Sequence, residues 1–190
     1  PGGRAFLLAS RPPPLRLRSR AAGLGERRWF GSESLGLAGV SDEDRWQRGQ
    51  EVLDQIKLRD EDLAVELLEG ADLTATDDFG STALILAARA GLMDLCTALL
   101  ERPGVDMDAQ NHFGSTALIC ASTNGHGDIC AMLLARGADV HRRTRLGGTA
   151  LGKAAAAGQE AVCRQLLAAG ATTDVRTKLG ESASDLARKA

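Results

Sequence analysis

The stretch FGSTALI fills residues 79–85 and returns unchanged at 113–119. It reads LGGTALG at 146–152, and a worn copy, LGESASD, follows at 179–185. The leading glycines, Gly80, Gly114, Gly147 and Gly180, stand 34, 33 and 33 residues apart. A unit of this size cannot bury its apolar face alone, so the copies must stack on one another. Stacking of this kind points to surface recognition ahead of chemistry.

The remainder of each period keeps the same register. After each copy comes an Ala-rich stretch that ends at Gly91, Gly125 or Gly158, then a second apolar run (LCTALL, ICAMLL, VCRQLL). A third glycine follows at Gly104, Gly137 and Gly170. Thr82, Thr116, Thr149 and Ser182 are placed to N-cap a helix, because a hydroxyl accepts from an orphan backbone N–H. Gly91, Gly125 and Gly158 suit the left-handed position where that helix stops. Each unit therefore reads as a short helix, a tight turn, a second helix and a loop rich in Asp, Gly and Thr. Isolated helices shorter than about 12–15 residues are marginal in water, so packing between units has to hold them.

This pattern resembles the ankyrin repeat, whose 33-residue unit carries Thr-Pro-Leu-His-x-Ala. GADV at 137–140 extends the likeness, and VLDQIKLRDEDLAVELLEGADL at 52–73 keeps a second helix and the Gly-Ala-Asp turn of a degenerate first unit. The chain departs from the motif in two ways. Each proline is Ala (Ala83, Ala117, Ala150, Ala183), and the histidine is Ile85, Ile119, Gly152 or Asp185. Loss of the first-turn proline and of the histidine hydrogen bonds is expected to weaken capping, with stacking to compensate. The resemblance implies an all-α helix-turn-helix solenoid with β-hairpin fingers. Three clear repeats would lie between a degenerate N-terminal unit and a partial C-terminal one. The units run at about 45–77, 78–111, 112–144, 145–177 and 178–190, within a repeat domain spanning 42–190.

Charge divides the chain. Residues 1–32 hold seven arginines and one acid, a net charge of +6, whereas the remainder holds 16 basic and 24 acidic residues, a net charge of −8. An Arg-rich, acid-poor leader fits a mitochondrial transit peptide, and Arg28-Trp29-Phe30-Gly31-Ser32 resembles a processing site. The alternative is a disordered basic leader on a cytoplasmic protein. Residues 33–41 read as a Gly/Ser linker, and Ser41-Asp42-Glu43-Asp44 as a capping-box start to the first helix. No apolar run is long enough to span a membrane. With 3% aromatic residues, the core has to be built from Ala, Leu and Gly.

Three chemical signals yield to the repeat register. Cys96, Cys130 and Cys163 each fall 16 residues after a leading glycine, one to a unit. Equivalent positions on stacked helices lie about 8–10 Å apart, too far for a disulfide, which needs Cα atoms within about 7 Å. They read, with Cys120, as core packing. Gly147-Gly148-Thr149-Ala150-Leu151-Gly152-Lys153 satisfies the Gly-x4-Gly-Lys of a phosphate-binding loop. A nucleotide-binding enzyme using it is the alternative function. Against it, Ala154 stands where Ser or Thr should ligate magnesium, and the preceding residues are polar and basic. His112, His126 and His141 fall in a hairpin tip, an interhelical turn and a loop, with no nucleophile in register; His126 matches a structural histidine of the family. No catalytic residue, cofactor or metal site is expected.

What remains is surface. The resemblance places the finger tips at Asp78-Phe79, His112-Phe113, Arg145-Leu146 and Lys178-Leu179, and makes fingers plus helix-one ends the concave binding face. Ser81 and Ser115 beside the tips, and Arg89, Thr123 and Asn124 at helix-one ends, complete the predicted contacts. The residue before glycine is apolar four times, and its neighbour runs from acidic through His to basic. Such a ladder suits an extended peptide or a helix, although its side chains could instead fold down between fingers. Arg142, Arg143, Arg145 and Lys153 form a basic patch. An acidic protein segment fits it better than nucleic acid, since no stacking aromatics accompany it. The expected function is noncatalytic protein binding by a monomer, as adaptor, inhibitor or targeting scaffold, with no small-molecule substrate. A further reading takes the chain as a fragment of a larger protein, because it stops after one helix of its last unit.

Overall fold

The computed structural model describes residues 41–188, so the expected leader over 1–32 and all of the linker except Ser41 lie outside the described residues. The helices are α1 (Asp42–Leu58), α2 (Glu61–Leu67), α3 (Ala83–Ala90), α4 (Met93–Leu100), α5 (Ala117–Asn124), α6 (Gly127–Ala135), α7 (Ala150–Ala156), α8 (Glu160–Ala168) and α9 (Ala183–Ala187). They form two layers. The first helix of each unit packs on the next, α1 on α3, then α5, α7 and α9, while α2, α4, α6 and α8 form the second row behind them. The described chain is thus a helix-turn-helix solenoid.

Short helices survive here because almost every face is covered. In α3, Ala83 through Ala88 are all buried, with α1 and α5 on its flanks and α4 behind. A helix apolar all round belongs inside. Its three buried alanines (Ala83, Ala87 and Ala88) cost little side-chain entropy and let backbones approach. Leu84, Leu118 and Leu151 fill the same slot in successive units and are 3% exposed or less. Each contributes about 1.5–3 kcal/mol by leaving water.

The two departures from the repeat motif have visible outcomes. Without proline, the helix starts rest on hydroxyl caps: Thr82, Thr116 and Thr149 Oγ1 accept from the amides of Ile85, Ile119 and Gly152 at 3.2–3.4 Å. Where the motif has histidine, Ile85 and Ile119 are buried, so apolar packing occupies that slot. At the two ends of the described stack the cap is stronger. Ser41 with Asp44 and Ser182 with Asp185 each form a reciprocal capping box. Hydrogen bonds from Ser182 hold the Asp185 carboxyl below its ordinary range.

Helices α4, α6 and α8 carry no side-chain cap of their own. For α4 the preceding unit supplies one, and the residue that starts α6 reaches back to the end of α3. Glu61 Oε1 accepts from Leu95 N at 2.9 Å, and His126 Nε2 lies 3.2 Å from the Arg89 carbonyl. The first unit differs most. Helix α1 runs 17 residues, and the loop after α2 folds onto it, with Asp72 N donating to Arg45 O at 2.8 Å and Arg48 Nη1 to Glu69 O at 3.0 Å. Gly49 admits that loop, since a Cβ there would lie 2.5 Å from Asp72 O and 2.8 Å from Ala75 Cβ. Alanine is the better helix former by about 1 kcal/mol, yet overpacking costs about 1–3 kcal/mol. Gly49→Ala should therefore lower stability in urea unfolding by roughly 1 kcal/mol. A gain in stability would show that the loop does not rest on α1.

Candidate interaction ridge

Between units the chain turns at residues 77–80, 111–114, 144–147 and 177–180. In each turn a glycine amide donates back three residues: Gly80 to Asp77 O, Gly114 to Asn111 O, Gly147 to Thr144 O and Gly180 to Thr177 O, at 2.8–2.9 Å. A second bond closes the turn from below, such as Asp77 N to Ser81 O at 3.0 Å and Asn111 N to Ser115 O at 3.1 Å. The glycines are left-handed, with φ between 70° and 83°. This is a type I turn followed by a one-residue bulge. The expected β-hairpin fingers are therefore turns without arms. Among the described residues no strand forms, and the one bridge joins Thr76 and Thr82.

A side-chain oxygen locks each turn from within. Asp77 Oδ1 accepts from Phe79 N and Ser81 N at 2.9 and 2.7 Å, and Asn111 Oδ1 from Phe113 N and Ser115 N at 3.0 and 2.9 Å. Thr144 Oγ1 accepts from Gly148 N, and Thr177 Oγ1 from Leu179 N and Glu181 N. The sequence reading passed over these four residues. Their shared signal is a side-chain oxygen acceptor three residues ahead of each leading glycine.

Successive turns are joined through the backbone. His112 N donates to Phe79 O at 2.9 Å, Arg145 N to Phe113 O at 2.9 Å and Lys178 N to Leu146 O at 2.8 Å. The His112 ring also lies over Gly80, where a Cβ would come within 2.6 Å of it, and the backbone of Arg145 lies equally close to Gly114. The four turns thus make one continuous ridge.

The apolar ladder runs along this ridge and faces solvent. Phe79 is 55% exposed, Phe113 58%, Leu146 64% and Leu179 81%. Phe79 and Phe113 touch each other, with ring centroids 6.0 Å apart at 32°. Asp78, His112, Arg145 and Lys178 beside them are exposed as well, and Ser115 is half-buried. Ser81 requires a correction. It is fully buried, and its hydroxyl meets Asn111 Nδ2 and Arg89 Nη2, each at 3.3 Å, so it braces the ridge from inside and cannot touch a partner. At the helix-one ends Arg89 and Asn124 are exposed and Thr123 is half-buried. Thr123 Oγ1 donates to Ile119 O and Asn124 Nδ2 to Cys120 O, which ties both side chains to their own helix.

The decoys have structural employment. In 147–153, the amides of Gly147, Gly148, Gly152 and Lys153 are all engaged with Thr144 or Thr149, so none is directed at a phosphate. Lys153 lays its stem beside Gly148. Cys96 and Cys130 are buried and unpaired; burial, helped by the nearby Glu61 charge, pushes the Cys96 thiol up to about 12. Burial raises Cys120, Cys130 and Cys163 too. A thiol held neutral in this way is a poor nucleophile. Among the described residues no His, Cys, Asp and Glu cluster could hold a metal ion, and no helix is long and apolar enough to cross a membrane.

Two layers of short paired helices with a turn ridge along one edge define a helical-repeat protein. A profile described as ankyrin repeats in three copies matches residues 56–144 and 95–178, and the chain belongs to the ankyrin-repeat family. A search of curated proteins returned no match. Ankyrin repeats are generally noncatalytic protein–protein interaction modules.

The ridge can be tested through its glycines. Gly104 and Gly114 share a left-handed φ, but a Cβ on Gly104 meets nothing within 4 Å. Gly104→Ala should cost about 1–2 kcal/mol for conformation alone. Gly114→Ala should cost a further 1–3 kcal/mol or so, because the new methyl displaces Arg145 N from its bond. Equal losses in thermal unfolding would contradict a closely joined ridge.

Proposed function

We propose that this chain is a noncatalytic binding module, an adaptor, inhibitor or targeting scaffold, that holds a protein partner along the turn ridge and the adjoining helix-one ends. The observation that carries this reading is the ladder of Phe79, Phe113, Leu146 and Leu179, four apolar side chains each more than half exposed on a backbone-bonded support. Trp46, Leu58, Leu63, Met93 and Leu167 are exposed as well, but only the ladder recurs at the same place in every turn, and a regular exposed row calls for a covering surface. The support matters as much as the side chains. Aromatic anchors dominate interface energies when they are held in place, and a preformed ridge lowers the ordering cost of binding. Arg89 and Asn124, exposed at the ends of α3 and α5, would meet the partner's flank.

The experiment compares the full chain with a Phe79→Glu, Phe113→Glu, Leu146→Glu variant in affinity capture from native extract, after circular dichroism and melting curves have been matched. Since these side chains are exposed, the fold should survive the changes. Proteins held by the parent should be lost from the variant. An anchor worth about 2 kcal/mol corresponds to a roughly thirtyfold loss of affinity. Equal capture by both folded proteins would reject the ridge as the binding face and direct attention to the second helix layer.

A further inference from the structure

Resting on that reading of the ridge, we propose that its partner is an acidic, apolar protein segment bound in one direction, its carboxylates over Arg145 and Lys178 and its apolar side chains over Phe79 and Phe113. The argument begins with which charges lack partners. Arg142 pairs with Asp139 at 3.4 Å, Arg164 with Glu160 at 2.9 Å and Arg176 with Asp185 at 3.8 Å. Arg143, Arg145 and Lys178 are exposed, and among the described residues none has an ion-pair partner. The carboxylates in this part of the ridge are Glu181, at the base of the last turn, and Asp185, whose Oδ2 is taken by Ser182. The 143–178 end therefore presents net positive charge around Leu146 and Leu179.

The first tip has the other sign, although the Arg89 guanidinium reaches Ser81 Oγ just after it. Asp78 stands beside Phe79, and the neighbouring Asp77 spends its carboxylate inside the turn. Three of the four apolar rungs, Phe79, Leu146 and Leu179, thus have a charged residue next to them, and the sign changes along the row. A partner that covers Leu146 and Leu179 takes Arg145 and Lys178 out of water. Removing a cation from water without a counter-charge is unfavourable, so a segment lacking carboxylates there is penalised. A carboxylate set over Asp78 would be repelled by the same logic. The charges consequently select both composition and direction. Phosphates could neutralise the cations, but a nucleic acid following the ridge would then meet Asp78 on a chain whose residues 33–190 carry a net charge of −8.

The test selects binders to the full chain from a displayed library of random dodecapeptides. It then measures the best peptide by fluorescence anisotropy against the parent, Arg145→Glu/Lys178→Glu and Phe79→Glu/Phe113→Glu, all with matched melting curves. The expected result is enrichment of Asp and Glu toward one end of the selected peptides and of Leu and aromatics toward the other. Affinity should fall at least tenfold on Arg145→Glu/Lys178→Glu, weaken with salt, and fall when the peptide sequence is reversed. Loss on Phe79→Glu/Phe113→Glu with none on Arg145→Glu/Lys178→Glu would overturn the directional claim and leave the ridge as the binding face. Indifference to both variants would overturn the two together. A selection without acidic enrichment, including one that yields no binder, also counts against the proposal. So does an oligo(dT) probe that binds as tightly as the peptides and is lost on Arg145→Glu/Lys178→Glu.

Discussion

Three backbone hydrogen bonds, His112 N to Phe79 O, Arg145 N to Phe113 O and Lys178 N to Leu146 O, carry the design of this protein. Helix packing holds each unit against the next, but packing alone leaves the connecting turns as separate loops. These bonds fasten the carbonyl of every apolar rung but the last to the following turn. The rung's main chain is fixed while its side chain stays in solvent. Two conditions make this possible. A left-handed glycine must follow the rung, leaving room for the neighbouring unit at Gly80 and Gly114, and a side-chain oxygen must hold the turn from within.

The same arrangement separates what the fold needs from what the surface can vary. Gly114 and Asn111 are constrained by geometry, whereas the side chains at the two tip positions make no contact on which the turn relies, apart from the His112 ring over Gly80. Asp78, Arg145 and Lys178 can differ in charge with the ridge unchanged. Recognition can be altered at the tips at little expense in stability, because exposed charges contribute little to folding.

Much of this was legible in the sequence, and the reason is locality. Cap hydroxyls at Thr82, Thr116 and Thr149 and terminating glycines at Gly91 and Gly125 act on residues within one turn of themselves, so their spacing declares them. Cysteine packing could be read from its slot in the register. What escaped was chemistry shared by unlike residues: Asp77, Asn111, Thr144 and Thr177 perform one task with three kinds of side chain, and no single letter runs through all four units. Ser81 was misplaced for a related reason. It is one residue past the glycine, where the chain has already turned inward, and its bond partner Asn111 lies a whole unit away. Whether the ladder folded down or stood out was open for the same cause, since exposure is decided by contacts between units. The shortness of the turns, which lack strand arms, likewise depends on the next turn supplying the bonds that a strand partner would give.

The most direct test of the account is amide hydrogen exchange at the four ridge tips, followed by NMR on the folded chain. His112, Arg145 and Lys178 have exposed side chains but bonded amides, while Asp78, at the head of the row with no turn before it, has no backbone partner. The account predicts slow exchange at the three bonded amides and fast exchange at Asp78. Equally fast exchange at all four would mean that the turns move independently and that no preformed ridge exists.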